Sequence, residues 1–403
     1  MSSAELAAHE AAFLLSAAAV RSRCGVVLAA AERDAAPHFR LDLRLLDEAA
    51  GRVASLTRRR FPDLSVPLHS RWRHFSAGGH DRAALVAPGA DAAERARAKI
   101  DLAIVSVLLD AGAGARWHYR EAATDETFSR SEGLAVASLR AMQEGLFSAD
   151  PNNPWRADAA ALGALTETSL SRAFQAGPEN PIDGMAGRAR LICRLGEVAA
   201  ASPEYFGRPA QLGRLYDYWL PRRDGLPAPA ILETLLYALG PIWPGGMRLA
   251  GLPLGDCGRH SSIPGSGLVP FHKLSQWLAY SLVEPLAEAG FRVTGLDGLT
   301  GLAEYRNGGL FLDCGVLVPR EAGLAQQVLD AKSEPVVEWR ALTVALLDRL
   351  AVRVRERLGG EAAQLSLGQV LEGGTWLAGR EIARERRADA APPLTVATGG
   401  TVF

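Results

Sequence analysis

The chain has 403 residues, 48% hydrophobic and 22% charged, with a formal net charge of −1. That is ample apolar material for a core, and it lacks the basic excess that binding a nucleic-acid backbone requires, so no nucleic-acid partner is expected. Cys24, Cys193, Cys257 and Cys314 stand far apart with no CxxC pair, which gives neither a disulfide framework nor a zinc knuckle and fits a reducing cytoplasm.

Along the chain, helical periodicity dominates. The apolar stretch AAFLLSAAAV (11–20) follows His9 and Glu10 instead of a basic cluster and is too short to span a bilayer. It reads as an amphipathic helix of a soluble, cytoplasmic protein without a membrane partner. Helices are predicted over 96–110, ended by Gly112, and over 131–147, capped by Ser129 or Ser131. The stretch 148–264, rich in Pro, Gly and Trp, holds short helices at 157–175, 186–199 and 228–240 and reads as a subdomain or cap. A helix near 270–289 starts after Pro270 and stops at Gly290, with Pro285 expected to kink or end it. GGLFLDCGVLVP (308–319) is the best strand candidate and predicts a short hairpin or ribbon. Ser333 and Gly359 bracket a helix with an apolar stripe at Leu342, Leu346, Leu350, Val354 and Leu358. The last residues, 392–403, read as extended. The fold class is mainly α, one mostly helical unit over 1–403 with two lobes and a small sheet or hairpin.

Candidate chemistry begins with lysine. Only Lys99, Lys273 and Lys332 occur, against 41 arginines. A lysine that survives such a bias can be one whose role arginine cannot take, since lysine deprotonates when buried and forms Schiff bases. Lys99 and Lys332 lie among charges and read as surface groups, whereas Lys273 sits in apolar company. Lys273, Gln276 and Tyr280 fall at i, i+3 and i+7 and share a helix face that could line a pocket. Downstream, LDGLTGLAEYRNGG suggests a glycine-turned helical hairpin followed by Glu304, Tyr305, Arg306 and Asn307. Asp256 lies upstream in LGDCGRH. Arg71, Arg73 and His74 could grip a phosphate or carboxylate, or staple a loop. Trp117 and Tyr119 form either a stacking platform for a planar ligand or a buried aromatic corner. The spacing of His69, His74, His80 and Asp81 matches no helix-face zinc pattern, and no Gly-rich nucleotide cradle is present, so neither a metal nor a cofactor is expected.

WRHF…GG-x-DR (72–82), RSEGLAVASL (130–139), GLVPFHKLSQWL (267–278), LDGLTGLAEYRNGGLFLD (296–313), LEGGTWLAGREIA (371–383) and the terminal GTVF (400–403) together resemble the uracil-catabolism protein 4 family. That resemblance implies a place in a pathway that degrades uracil through ribosylated forms. A more distant similarity, to the queuosine-nucleotide N-glycosylase family, implies a DNA-glycosylase-like helical fold. Lys273 and Gln276 match its K-x-x-Q, Glu304-Tyr305-Arg306 match its D-Y-R, and Asp256 stands at its F-x-D aspartate. Glu304 is one methylene longer than the expected Asp.

These resemblances imply an N-glycosidase acting on a small ribosylated molecule, ribosylurea or its 5′-phosphate, left by pyrimidine ring opening. Glu304 would stand by C1′, Lys273 would protonate the leaving group or attack C1′, and Asp256 would hold ribose hydroxyls. Arg306 would orient Glu304 or bind phosphate. The competing readings are a metal-dependent ureido amidohydrolase using His69, His74, His80 and Asp81, and a non-enzymatic binder of a pyrimidine metabolite. A monomer is compatible with all of them.

Overall fold

A computed structural model describes residues 2–243 and 246–397. The terminal GTVF (400–403) and the end of the extended C-terminal segment lie outside them. The described residues are mainly α-helical, and the sheets among them are two-stranded. They form two compact units, one of residues 2–69, 246–276 and 295–397, the other of residues 70–243 and 277–294. The stretch 148–264 is therefore shared between the units and does not form one of its own.

The first unit is built on the Glu334–Leu358 helix, which packs on Ala17–Glu32 and Leu46–Arg60. The stripe Leu342, Leu346, Leu350, Val354 and Leu358 is buried throughout, as a four-residue repeat of leucine-like side chains requires. Gly359, at φ 67°, ends the helix in a conformation that a side chain would oppose. Phe39–Leu41 pairs antiparallel with Leu317–Pro319, with Arg40 opposite Val318. Cys257–Arg259 pairs antiparallel with Leu268–Pro270, and Val328–Asp330 runs parallel to Thr395–Ala397.

The predicted hairpin over 308–319 is corrected. Tyr305–Asp313 is a helix, and only Leu317–Pro319 is strand. The two glycines that argued against a helix serve tertiary packing. A Cβ on Gly308 would sit 2.6 Å from the Trp339 indole, and one on Gly309 would sit 3.1 Å from Pro393. The neighbouring Trp376–Arg386 helix comes closer still, since a Cβ on its Gly379 would lie 2.0 Å from the Arg306 carbonyl oxygen. Packing outweighs the propensity cost of glycine here.

The second unit contains Ala92–Leu108, Arg130–Gln143, Met185–Ala201 and Ala228–Leu239, with a hairpin of His118–Glu121 and Glu126–Ser129. Lys99 is buried, not exposed: its ammonium pairs with Glu288 and lies 5.4 Å from the Trp72 ring centre. The buried Glu121 carboxylate takes both Arg82 and Arg140. Burial alone would raise its pKa, but these two arginines and Thr124 bring it down to about 2.

The Lys273–Glu288 helix passes from the first unit (273–276) into the second (277–288) and continues through Pro285. A proline there leaves the carbonyl of Ser281 without its helical donor. The Trp72 indole N–H supplies one, at 2.7 Å, so the helix survives. No single described helix is long and apolar enough to cross a membrane.

Candidate active site

In the first unit, four chain segments bring charged side chains together. The first is the start of the Lys273 helix. Asp256 precedes the Cys257–Arg259 strand, and its Oδ2 accepts the Lys273 backbone N–H at 3.1 Å. Both Asp256 oxygens also take the Arg340 guanidinium, at 2.8 and 2.7 Å, and that guanidinium lies 4.0 Å over the Phe271 ring. Burial works to raise the Asp256 carboxyl, but the Arg340 charge and hydrogen bonds outweigh it and hold the group below its ordinary value. Asp256 thus fixes the first turn of the helix that carries Lys273.

Gln276, one turn on, is fully buried and does not line an open face. Its Nε2 donates to Thr300 Oγ1 at 2.8 Å and its Oε1 accepts the Thr300 N–H at 3.3 Å. A carboxamide offers one donor edge and one acceptor edge, and here both hold the segment leading to Glu304. Tyr280, in the second unit, is likewise fully buried. The predicted Lys273–Gln276–Tyr280 face is therefore mostly core.

The second segment is LTGLAE. Instead of a single glycine turn between two helices, the chain runs through a short strand, Val293–Thr294, a 3-10 turn, Leu296–Gly298, and an irregular stretch, 299–304. Gly301 makes room for Leu347, 2.7 Å from where its Cβ would be. Glu304 then caps the Tyr305–Asp313 helix: Oε2 accepts the Arg306 N–H at 2.9 Å, and Oε1 accepts the Asn307 N–H. The positive end of a helix favours an anion at this position. Burial raises the Glu304 carboxyl above its ordinary value, opposed by those two N–H groups and then by the positive charges of Lys273 and His69. Lys273 and Glu304 are thus close enough to interact as charges.

Tyr305, Arg306 and Asn307 follow as the first turn. The Arg306 guanidinium lies 5.1 Å from the Tyr305 ring centre and donates to the Ala390 carbonyl at 2.9 Å. Its backbone N–H, not its side chain, holds Glu304. Asn307 is buried, with Nδ2 on the Leu302 carbonyl at 3.2 Å.

The third and fourth segments were not assigned to the Lys273–Glu304 chemistry from the sequence. His69 Nδ1 lies 3.0 Å from Glu372 Oε2, and Glu372 Oε1 accepts from Arg60 at 2.8 Å. Glu372 sits on a π-helical turn, Leu371–Thr375, a geometry frequent at functional sites. Burial pushes its carboxyl up, but the His69 and Arg60 contacts overcome this and hold it low. The signal available in the sequence was the LEGGTW run, which contains Glu372.

The family model described as "Protein of unknown function (DUF1688)" matches residues 13–403. The chain belongs to this family. It is 40% identical over 404 residues to Protein urg3 of Schizosaccharomyces pombe, covering 97% of this chain and 98% of that protein. It is 36% identical over 407 residues to Uracil catabolism protein 4 of Lachancea kluyveri, covering 91% and 92% of the two chains.

The other sequence candidates of this DUF1688 chain, His69 apart, fall in its second unit. Trp117 is buried, donates to the Phe174 carbonyl at 2.9 Å and stacks on that ring, and Tyr119 is buried on the hairpin strand. The aromatic pair is thus a buried corner, not a platform, and burial raises the Tyr119 hydroxyl to about 12. Arg71 is fully buried, bonded to Ser106 at 2.7 Å and to the Ser131 carbonyl at 3.1 Å, with Asp110 at 3.2 Å. Arg73 pairs with Glu284. These contacts make both arginines loop staples here instead of an anion grip. The three histidines of the metal reading go separate ways: His69 to Glu372, His74 edge-on to Trp277, and His80 to Glu126 at 2.9 Å. Among the described residues no group of three or more His, Cys, Asp or Glu side chains is placed to hold a metal ion.

Proposed function

We propose that this protein acts in uracil catabolism as an N-glycosidase, hydrolysing the ribosyl C–N bond of a ring-opened pyrimidine product, ribosylurea or its 5′-phosphate. The observation that carries this reading is a Glu304 carboxylate fixed at a helix N-terminus, on which the positive charge of Lys273 in the same unit acts. The name of the Lachancea kluyveri relative supplies the pathway, and the similarity of K-x-x-Q and E-Y-R to glycosylase motifs supplies the reaction class.

Cleavage of a ribosyl C–N bond passes through an oxocarbenium-like transition state. The bonding pair leaves with nitrogen, which must gain a proton, while water bonds to C1′ and loses one. A carboxylate whose two oxygens are already oriented by N–H groups needs little reorganisation to face the developing positive charge, and it can accept the proton of the water. Glu304 has that placement. In this reading Lys273, whose positive charge acts on Glu304, gives the departing nitrogen its proton as an ammonium while Glu304 takes the proton of the water. Asp256 and Gln276 act through others, fixing the helix start and the 299–304 stretch.

Lys273→Met and Glu304→Gln, assayed against ribosylurea, its 5′-phosphate and uridine nucleotides, test the assignment. Each is expected to lower turnover by at least about a hundredfold, and full activity in both would refute it. Borohydride added with substrate separates the roles of Lys273, since a covalent adduct there would replace the ammonium role by a Schiff base.

A further inference from the structure

Two residues, Phe271 and His272, carry the chain from the Leu268–Pro270 strand into the helix that begins at Lys273. His272 makes the turn at φ 49°, in the left-handed region where glycine is the default and a side chain is strained. Such strain persists only where surrounding contacts over-determine it, and it gathers at functional sites. The contacts that hold His272 are specific. Its imidazole is buried, and Nε2 lies 2.8 Å from the carbonyl of Leu14, at the end of the Ser3–Leu14 helix. A carbonyl only accepts, so Nε2 carries the hydrogen, and it occupies a helix-end carbonyl that has no donor within its own helix. Burial holds the imidazole below its ordinary value, against the Leu14 bond and the Asp256 charge, so the ring is a neutral peg and not a proton donor. The backbone is bonded on both sides: the His272 N–H donates to the Asp256 carbonyl at 3.3 Å, and the His272 carbonyl accepts the Gln276 N–H at 2.8 Å.

Resting on the glycosidase reading above, we infer that His272 is a positioning residue for Lys273, its imidazole bond to Leu14 fixing the backbone at the start of the Lys273 helix. Asp256 holds both residues, through its carbonyl on the His272 N–H and its Oδ2 on the Lys273 N–H. Gln276, bonded to the His272 carbonyl, in turn holds Thr300, on the stretch that ends at Glu304. A shift of His272 therefore moves the backbone of Lys273 and, through Gln276, the segment that carries Glu304. Glycine would take this φ without strain, but it would supply no bond to Leu14 and would leave the helix start free. Histidine accepts the strain and fixes it. Misplacing a reacting group by about 1 Å can cost about 10²-fold in rate, so even a small loosening here reads out in kcat.

The test compares wild type, His272→Asn and His272→Gln on the full chain, with ribosylurea and its 5′-phosphate, kcat being expressed per folded molecule. The glutamine amide nitrogen stands at the place of Nε2 and can keep the Leu14 bond. The asparagine nitrogen stands at the place of Nδ1 and falls short of Leu14, although asparagine tolerates positive φ. His272→Asn is expected to lower kcat about 10–100-fold with KM little changed, and His272→Gln to recover most of that loss. A second readout needs no turnover. Lys273 is half-buried, and acetic anhydride labelling with peptide mapping reads it against the exposed Lys332, one of only two other lysines. Labelling of Lys273 relative to Lys332 should rise in His272→Asn, where the helix start is loosened, and return toward wild type in His272→Gln. Retention of kcat within about twofold by His272→Asn while its Tm falls, or a His272→Gln variant as slow as His272→Asn, overturns the positioning role and leaves the glycosidase reading standing. Loss of the cooperative unfolding transition in both variants overturns it too, in favour of a purely structural peg. Wild-type protein without turnover on either substrate overturns the glycosidase reading, and an unmoved labelling ratio in His272→Asn then overturns the positioning of Lys273 as well.

Discussion

Asp256→Asn separates two roles for one residue. Were Asp256 to hold ribose hydroxyls, the change would raise KM and leave stability alone. The structure instead gives both carboxylate oxygens to Arg340, at 2.8 and 2.7 Å, and one of them also to the Lys273 N–H. The side chains are 5% exposed for Arg340 and 17% for Asp256, so the pair is largely removed from water. Leaving one member of such a pair without its counter-charge costs about 3–5 kcal/mol, and the residual exposure of Asp256 favours about 3. For a unit of this size that corresponds to a fall in Tm of roughly 6–12 °C. The pH dependence follows from the sign of the shift. The Asp256 carboxyl is held below its ordinary value, so its contribution is present above the unfolded-state value and is lost as pH falls through the folded one. The gap between wild type and Asp256→Asn should stay constant from pH 5 to 8 and close only in strong acid. Thermal unfolding with Arg340→Met and the double variant completes the cycle, and the double variant should cost well under the sum of the single changes. Additive losses, or an unchanged Tm for Asp256→Asn, would refute the reasoning.

Two further outcomes are expected. Gln276→Leu removes both buried contacts to Thr300, a loss of about 2–3 kcal/mol by urea denaturation, with a fall in kcat because Thr300 leads to Glu304. Asp101, fully buried in the second unit, accepts from Gln211 and from the Gly213 N–H, yet burial raises its carboxyl to about 7. A raised folded-state value means stability is lost as pH climbs from about 4 through 7, so Asp101→Asn should flatten Tm against pH over that range and raise Tm at pH 8.

Much of the fold was legible because local and tertiary preferences agree. The Glu334–Leu358 helix was bracketed by Ser333 and Gly359, and its leucine stripe is the face it buries. Where they disagree, reading failed. Gly308 and Gly309 argue against a helix locally but are required by Trp339 and Pro393, which a linear reading cannot place beside them. The site shows the same divide. Lys273 and Glu304 lie in one stretch, and their spacing matched a known pattern. The proximity of His69 to Glu372 joins residues 303 apart, and that of Asp256 to Arg340 residues 84 apart, neither of which spacing can reveal. Trp117 and Tyr119 looked equally suited to a ligand or a core, and only burial separated the two.

The most direct measurement is product analysis with the wild-type protein given ribosylurea or its 5′-phosphate. The account predicts free urea and free sugar, or sugar phosphate, released in equal amounts, with release lowered by at least about a hundredfold in Lys273→Met and in Glu304→Gln. Binding of these compounds with no urea released, or release at the wild-type rate in both variants, would contradict it.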